Sequence, residues 1–195
     1  MGENNNNNNF NLPPGFRFYP TDEELVVHFL HRKATLLPCH PDVIPDLELN
    51  PYDPWDLDGK AMGEGNKWYY YSRMTQSRVT ENGYWNPLGI DEPIFSNSGQ
   101  KVGMKKLYVF FVGESPEEGT KTNWIMEEFR LSDSASSSSN SRTRRRSSKP
   151  DYSKWVVCRV YECDDDNDEG DSTELSCLDE VFLSLEDLDE TSFPN

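Results

Sequence analysis

The sequence predicts an α+β fold, in which a twisted antiparallel β-sheet packs with a few helices and a disordered acidic tail follows. Aromatic and β-branched runs, separated by glycine, asparagine and serine, recur from Lys67 onward and are typical of strands. No helical pattern of crossover length separates these runs, which favours antiparallel pairing. The composition changes after Tyr161, where acidic residues dominate. A chain of 195 residues is long enough for one core and a tail.

The N-terminal region leads into one helix. Residues 1–11 contain a run of six asparagines and are expected to be disordered. Prolines hold the chain extended as far as Pro20. Thr21 and Glu24 then have the spacing of a capping box, and apolar residues follow at once. The pattern predicts an amphipathic helix over residues 22–35.

Four strands are predicted downstream of the helix, over residues 67–73, 101–113, 122–131 and 153–161. In the last strand, Val156, Cys158 and Val160 alternate with more polar neighbours, so one face of the strand is buried. The apolar run 107–111 resembles a segment linked to repression in one family of regulators, but a buried central strand explains it better.

Two segments are predicted to lie outside the core. One is a loop within the folded domain, and the other follows the domain as a tail. Residues 132–150 form a serine-rich loop that turns basic and is too polar to bury a core. Residues 162–195 are acidic and then acidic-hydrophobic, a composition typical of a regulatory segment that orders on a partner. The folded domain is therefore expected to extend over residues 12–161, with the serine-rich loop inside it.

The net charge of −16 is unevenly distributed. Residues 1–161 hold all 19 lysines and arginines and 21 acidic side chains, a balance of −2, whereas residues 162–195 hold 14 acidic side chains and no basic one. The overall acidity therefore does not argue against binding to nucleic acid. A nearly neutral domain nevertheless gives little support for DNA binding, because affinity for DNA comes largely from lysine and arginine side chains that contact phosphates.

Membrane, metal and catalytic functions find little support in the sequence. No segment is long and apolar enough to cross a membrane. The four cysteines form no C-x-x-C pair, which argues against a zinc ribbon or a disulfide scaffold and favours a reducing compartment. His28 and His31 could share a helix face, but no pattern of further metal ligands accompanies them. Without a nucleophile–base arrangement, a phosphate loop or a dinucleotide fingerprint, we predict no enzyme, no metal and no cofactor.

Seven motifs follow one another between Leu12 and Tyr161. They are Leu12–Val26, Asp53–Leu57, Lys67–Ser72, Gly83–Trp85, Val102–Lys106, Gly119–Met126 and Trp155–Tyr161. Their content and order resemble the NAC domain, the DNA-binding and dimerising module of a large class of plant transcription factors. Several long motifs in the right order are far more specific than one short pattern. The short total length and the acidic end look most like a xylem NAC-domain protein.

The resemblance implies a nuclear regulator that binds double-stranded DNA as a homodimer, or as a heterodimer with related NAC-domain proteins. Arg17 and Glu24 match the arginine and the carboxylate that meet twice across the family's dimer interface. From the residues alone, Glu24 could equally serve only to complete the capping box with Thr21.

The resemblance also assigns DNA contacts to an edge strand and to basic strand residues. The residues predicted to bind DNA are Arg73, Arg78, Trp85, Asn86, Lys101, Lys105, Lys106 and Lys121. Without the family context, the four lysines could equally form a solvated strand face.

The chain departs from the family in the segment that reads DNA. The family pattern W-K-A-T-G-x-D-K-P, on an edge strand that enters the major groove, corresponds here to Trp85–Pro93. Asn86 and Glu92 replace the two lysines, and Pro87 removes a backbone donor, which an edge strand tolerates. A later loop that usually carries lysines is acidic, with Glu114, Glu117 and Glu118. These changes predict a weak DNA reader that acts as a negative regulator of development or differentiation.

Two more groups of residues carry predicted functions. A basic cluster in the loop predicts a nuclear localisation patch or a mobile arm on DNA phosphates, with a solvated loop as the alternative: Arg142, Arg144, Arg145, Arg146 and Lys149. In the tail, Leu175, Cys177 and Asp179 approximate L-x-C-x-E, the peptide that docks on retinoblastoma-type pocket proteins, with aspartate in place of the glutamate. The second function left open is an interaction protein that heterodimerises with DNA-binding relatives and recruits partners through this tail.

Overall fold

A six-stranded antiparallel sheet forms the centre of the protein. The computed structural model describes residues 14–48, 52–74, 77–114, 118–132 and 154–163. The strands are β1 (Met62–Glu64), β2 (Lys67–Arg73), β3 (Gly83–Phe95), β4 (Lys101–Val112), β5 (Thr120–Leu131) and β6 (Trp155–Glu162). Their order across the sheet is β1-β2-β6-β5-β4-β3, and every neighbouring pair is antiparallel. The α+β class predicted from the sequence is confirmed.

One helical segment lies against the sheet and begins at the predicted capping box. It consists of an α-helical turn Asp22–Glu24, a π-helical stretch Leu25–Leu30 and an α-helical turn His31–Ala34. The backbone N–H of Glu24 donates to the Thr21 hydroxyl at 3.1 Å, and the Thr21 N–H donates to the Glu24 carboxylate at 2.8 Å. The helix predicted over residues 22–35 is confirmed to within one residue, although its π-helical centre was not predicted.

The helix and the sheet pack closely because of one glycine. The helix buries Leu25, Val26, Phe29 and Leu30 against aromatic and apolar residues of β2, β5 and β6. A Cβ atom added at Gly103 of β4 would lie 2.5 Å from the backbone oxygen of Arg130 and 2.9 Å from a methyl group of Val26. Any larger residue at this position would force the helix and β4 apart.

The opposite face of the sheet carries a second core. Leu57, which ends a 3-10 turn at Pro54–Leu57, and Ala61 cover part of this face. The buried strand residues beneath them are Tyr70, Trp85, Tyr108, Phe110, Trp124, Met126, Val156, Cys158 and Val160. Leu107–Phe110 are buried within β4, which lies between β3 and β5, so the predicted central strand is confirmed.

A third apolar cluster, here termed the strand-only cluster, contains no helix residue among the residues that the structure describes. Its buried members are Leu107, Val109, Ile125 and Cys163, and Leu88, Phe111 and Tyr161 pack against them while partly exposed. All seven come from β3 to β6 or from the position directly after β6. Register pairs Leu88 with Leu107 and Ile125 with Tyr161, so the cluster occupies one face of the sheet.

The strand pattern predicted β2, β4, β5 and β6 but neither the three-residue β1 nor β3. Pro87, Gly89 and Pro93 interrupt β3, and prolines normally exclude a strand from the centre of a sheet. An edge strand tolerates them, and β3 is the edge. Cys163 is disulfide-bonded, whereas Cys39 and Cys158 are free thiols; the scattered cysteine spacing did not predict this bond. None of the helices in the described ranges has the length and hydropathy to span a bilayer.

Candidate nucleic-acid interface

The edge strand β3 presents an irregular, exposed segment at its centre. Leu88 pairs with Leu107 and Glu92 pairs with Lys105, so the three residues from Gly89 to Asp91 face the single residue Lys106. Gly89 has a φ of +65°, which an L side chain rarely adopts. Such bulges bend a strand and redirect its side chains, and they are frequent beside functional sites.

The side chains before and within this bulge point to different environments. Asn86 and Pro87 are exposed, and Ile90 is 62% exposed. Trp85, in contrast, is buried, with its ring centroid 5.0 Å from that of Phe110. Trp85 therefore anchors the strand to the core, while the amide of Asn86 is accessible to a ligand. The DNA contact predicted for each of them stays a prediction.

One face of the sheet carries a chain of charges that ends at the bulge. The Arg78 guanidinium lies 2.5 Å from the buried carboxylate of Glu128 and 4.6 Å from the centroid of the Tyr108 ring. Arg130 lies 3.8 Å from Glu128 and also pairs with Asp91. The 2.5 Å contact is an ion pair without hydrogen-bond geometry, because that oxygen of Glu128 has no hydrogen-bond donor. Burial alone would lower the pKa of Arg78, but the Glu128 carboxylate and the Tyr108 hydroxyl together outweigh it and the pKa is raised.

The opposite face carries a second group of charges around the helix start. Lys105 lies 3.0 Å from Glu92, its register partner on β3, and 3.3 Å from Asp22 in the first helical turn. Asp22 also pairs with Arg159 at 2.8 Å. Burial would lower the pKa of Lys105, but Asp22 and Glu92 together raise it. Lys106 pairs with Asp91 at 3.4 Å on the other face, so these two of the four lysines predicted to bind DNA have acidic partners within the domain.

The remaining basic residues predicted to bind DNA are exposed. Lys101 and Lys121 lie at the start of β4 and of β5. Arg73 ends β2, and its guanidinium stacks 3.7 Å from the centroid of the Trp155 ring. These three lie on three different strands, and their contacts with DNA also stay predictions.

Asp53 is a structural residue that the sequence reading missed. Its carboxylate is fully buried and accepts hydrogen bonds from the Thr80 hydroxyl, from the Asn82 N–H at 3.2 Å and from the Asn82 amide at 2.6 Å. Thr80 and Asn82 immediately precede β3, so Asp53 fixes the point where the edge strand starts. The only sequence hint was an acidic residue before the proline of a short helical turn.

The two residues predicted at the dimer interface border one cavity. Arg17 and Glu24 both line a cavity of about 420 Å³ beside the helix start, together with Phe16, Tyr19 and His28. Phe16 and Tyr19 are exposed aromatic residues. Glu24 completes the capping box and is also exposed, so both roles considered for it are compatible with its position.

Other predicted sites lie outside the described residues or have little structural support. The basic cluster from Arg142 to Lys149 and the tail residues Leu175, Cys177 and Asp179 fall outside the described ranges. His28 lies with Nε2 3.2 Å from the backbone oxygen of His40. Within the part of the chain that the structure describes, no group of three or more His, Cys, Asp and Glu residues is arranged to hold a metal ion.

Comparison with known proteins gives matches along most of the chain. The family model for the no apical meristem (NAM) protein matches residues 13–131. NAC domain-containing protein 104 of Arabidopsis thaliana is 67% identical over 192 residues, which cover 94% of this chain and 100% of that protein. NAC transcription factor 25 of Arabidopsis thaliana is 42% identical over 163 residues, covering 77% of this chain and 50% of the relative. NAC domain-containing protein 58 of Oryza sativa subsp. japonica is 40% identical over 164 residues, covering 77% and 42%. The chain thus spans about half the length or less of the latter two relatives.

Proposed function

The chain belongs to the NAC (no apical meristem) family of plant proteins, and we propose that it is a transcription regulator that contacts double-stranded DNA through the edge strand β3. The observation that carries this proposal is the bulged, exposed segment from Asn86 to Ile90 on the sheet edge. A two-stranded β-ribbon fits the major groove of B-DNA. Strands β3 and β4 are the outermost pair of the sheet, and the bulge lies in the outer strand, which would enter the groove.

The polar contacts available to this ribbon are few. The Asn86 amide could pair with an adenine edge, which asparagine recognises with two hydrogen bonds. Lys101 and Lys121, both exposed, are the residues we assign to phosphates. Arg78 is paired with buried Glu128, and we assign it to holding the β2–β3 connection in place.

The charge pairs around the bulge support a weak reader. Glu92 stands where the family has lysine, and it also engages Lys105 at 3.0 Å. Asp91 engages Lys106 and Arg130 in the same way on the other face. Each pair must be loosened before its lysine can meet a phosphate. Fewer free cations mean lower affinity and a weaker dependence on salt.

We further propose that two copies associate around the helix start. Arg17 and Glu24 border one cavity, so a two-fold axis near it would place the arginine of each copy against the carboxylate of the other. The exposed rings of Phe16 and Tyr19 would add apolar area. In a heterodimer with a relative that binds DNA more strongly, one subunit would bind DNA well and the other poorly. The weaker subunit would then reduce the activity of its partner, so we propose that the chain is a negative regulator.

The second candidate function is an interaction protein with little DNA binding of its own. The pairing of Lys105 and Lys106 within the domain favours it. In this case the tail motif around Cys177 would recruit a partner, with a retinoblastoma-type pocket protein as the class to test, and the basic cluster at Arg142–Lys149 would direct the chain to the nucleus. In a large reporter fusion, replacing the basic cluster by alanine should then reduce nuclear accumulation.

A salt-titrated DNA-binding assay on the full chain, using duplexes selected from a random pool, decides between these functions. The variant Asn86→Lys with Glu92→Lys should bind more tightly, by roughly tenfold for one regained base contact, and its salt slope should steepen by about one unit for each regained phosphate contact. Glu64→Lys on β1, at the opposite sheet edge, is the matched control and should change neither quantity. Low-nanomolar binding by the unmodified chain in physiological salt would contradict the weak-reader proposal.

The dimer proposal needs variants that separate the two roles of Glu24. Glu24→Gln retains a capping-box side chain but removes the charge, whereas Thr21→Ala breaks the capping box and keeps the charge. We expect Glu24→Gln and Arg17→Ala to weaken dimers in sedimentation, and Thr21→Ala to leave them intact. Dimers lost only in Thr21→Ala would assign Glu24 to the helix cap alone.

A further inference from the structure

The strand-only cluster is buried although its described members come only from the strands and from the position directly after β6. Ile125 is 0% exposed, Val109 3% and Leu107 5%. The helix packs on the neighbouring part of the sheet with Phe129 and Val157, and it contributes nothing to this cluster. A sheet face reaches such burial only when a second layer covers it.

The chain itself continues from the β6 end of this cluster. Cys163, a buried member, directly follows β6, and its backbone N–H donates to the Asn123 carbonyl at 2.8 Å. The 32 residues from 164 to 195 therefore begin beside this cluster. Eleven of them precede Leu175, and extended they span up to ~35 Å. The cluster crosses four neighbouring strands, roughly 15 Å, so the distal tail can reach every part of it.

The distal tail has the sequence pattern of a covering layer. Leu178, Val181, Phe182 and Leu185 recur at positions i, i+3, i+4 and i+7. This spacing places apolar side chains on one face of a helix. Leu183 lies in the same segment but would fall on a different face of this helix. The apolar face therefore follows from the spacing of the residues and not merely from the apolar content of the segment.

The rim of the cluster carries charges that complement the tail. Residues 164–195 hold 13 acidic and no basic side chains. Lys67 lies 5.6 Å from the centroid of the Tyr161 ring, at one side of the cluster. Lys121 pairs in register with Phe111 at the other side and is exposed. Burial raises the pKa of Tyr161, which agrees with a ring shielded from water.

We propose that the distal tail, with Leu178, Val181, Phe182 and Leu185, docks as an amphipathic helix on the strand-only cluster of its own domain. The docked tail brings its carboxylates beside β3, because Leu88 of that strand belongs to the cluster. This consequence rests on the proposed DNA-binding function: the acidic tail repels phosphates from the edge strand and lowers the DNA affinity of its own chain. A partner that binds the tail removes it from the sheet and relieves the inhibition.

Carbodiimide cross-linking of the full chain tests the docking without reference to DNA. The reagent activates a carboxylate, a lysine amine in contact displaces it to form an amide, and the reagent leaves as its urea. Dithiothreitol first reduces the disulfide at Cys163 and is removed before the carbodiimide is added, because thiols consume the reagent, so that only non-covalent docking is measured. We expect amides between Lys67 or Lys121 and carboxylates of residues 164–195. Phe182→Ser should abolish them, and the matched variant Leu183→Ser should retain them.

Each result decides the proposal. Absence of these cross-links in the unmodified chain, or their equal survival in Phe182→Ser and Leu183→Ser, overturns the docking. An equal mixture of isotope-labelled and unlabelled chains identifies links between two copies, and mixed links in the statistical proportion expected for random pairing of copies would overturn docking within one chain.

DNA binding of the same variants tests the regulatory half separately. Phe182→Ser should bind DNA more tightly than Leu183→Ser, with a salt slope steeper by about one unit or more. If Phe182→Ser loses the cross-links but binds DNA no more tightly than Leu183→Ser, the proposed inhibition is overturned, whereas the proposed docking still stands. If no variant binds DNA at any salt concentration, the proposed DNA-binding function fails, while the cross-links still decide the docking.

Discussion

The inner strand β5 and the edge strand β3 each carry two consecutive acidic residues, and the two pairs differ in what they do. Glu127 and Glu128 of β5 are buried, and each pairs with an arginine on its own face of the sheet. Asp91 and Glu92 of β3 are partly exposed, and each pairs with a lysine of β4 on its own face. Two consecutive acidic residues therefore form buried ion pairs inside the sheet, whereas at its edge they form partly exposed pairs that a ligand can reach.

The difference shows how position decides the effect of a carboxylate. A buried ion pair that loses one partner leaves an uncompensated charge in a medium of low dielectric constant. A partly exposed pair is screened by solvent and contributes little to stability. The edge pairs can therefore change during evolution without loss of the fold, and they control instead how much positive charge β4 offers to a ligand.

The largest effect is expected for the buried carboxylate. Glu128→Gln should lower the free energy of unfolding by about 3 kcal/mol, because it leaves Arg78 without its counter-charge. Asp91→Asn is the matched change at the edge and should cost less than about 1 kcal/mol. Unfolding in guanidinium chloride measures both values. Equal losses would show that burial does not separate the two strands.

A smaller loss is expected where the edge strand begins. Asp53→Ala should cost about 2 kcal/mol, because the Thr80 hydroxyl and the Asn82 amide lose their acceptor in a buried site. Asp58→Ala, at an exposed position just after the same 3-10 turn, should change stability by less than about 0.5 kcal/mol. Thermal unfolding distinguishes the two, and hydrogen exchange should show that β3 opens first in Asp53→Ala.

At the edge itself the effect should appear in binding rather than in stability. Glu92→Gln removes one of the two counter-charges of Lys105 and leaves Asp22, so it should steepen the salt slope of DNA binding by up to about one unit. Its free energy of unfolding should change by less than about 1 kcal/mol, because the pair is partly exposed. If Glu92→Gln loses stability and gains no affinity for DNA, Glu92 has a structural role like that of the buried carboxylates of β5.

A modest loss of stability is expected at the helix start. Thr21→Ala should cost about 1 kcal/mol, because the Glu24 N–H loses its acceptor. Asp22 lies in the same turn and anchors Lys105 and Arg159, so Asp22→Asn offers a comparison between a cap and an ion pair. Far-ultraviolet circular dichroism during urea titration measures both. Thr21→Ser should retain most of the stability.

Local patterns predicted the helix and the inner strands, because their information lies in neighbouring residues. The capping box of Thr21 and Glu24 fixes the helix start, and alternation in β6 identifies a half-buried strand. The edge strand β3 was not predicted from the sequence pattern, because its prolines and glycine have low strand propensity. The structure accommodates them because β3 lies at the edge of the sheet. Resemblance to a family located β3 where pattern did not.

The charge pairs could not be predicted, because they depend on register between distant strands. Lys105 and Lys106 were expected to face DNA, and the sequence alone does not reveal that the β3 bulge brings Glu92 and Asp91 to them. Asp22 and Arg159 are 137 residues apart in the chain, yet they form one hydrogen bond. Such contacts become visible only when the strand order is known.

The sheet also has to avoid joining another sheet. Unpaired strand edges are templates for aggregation, and natural proteins protect them with short strands, prolines and bulges. One edge here, β1, has three residues, and the other, β3, has thirteen but carries Pro87, Pro93 and the bulge between them. The features that excluded β3 from strand prediction therefore keep a long, exposed edge soluble. Replacing both prolines with threonine would turn the same surface into a nucleus for fibrils.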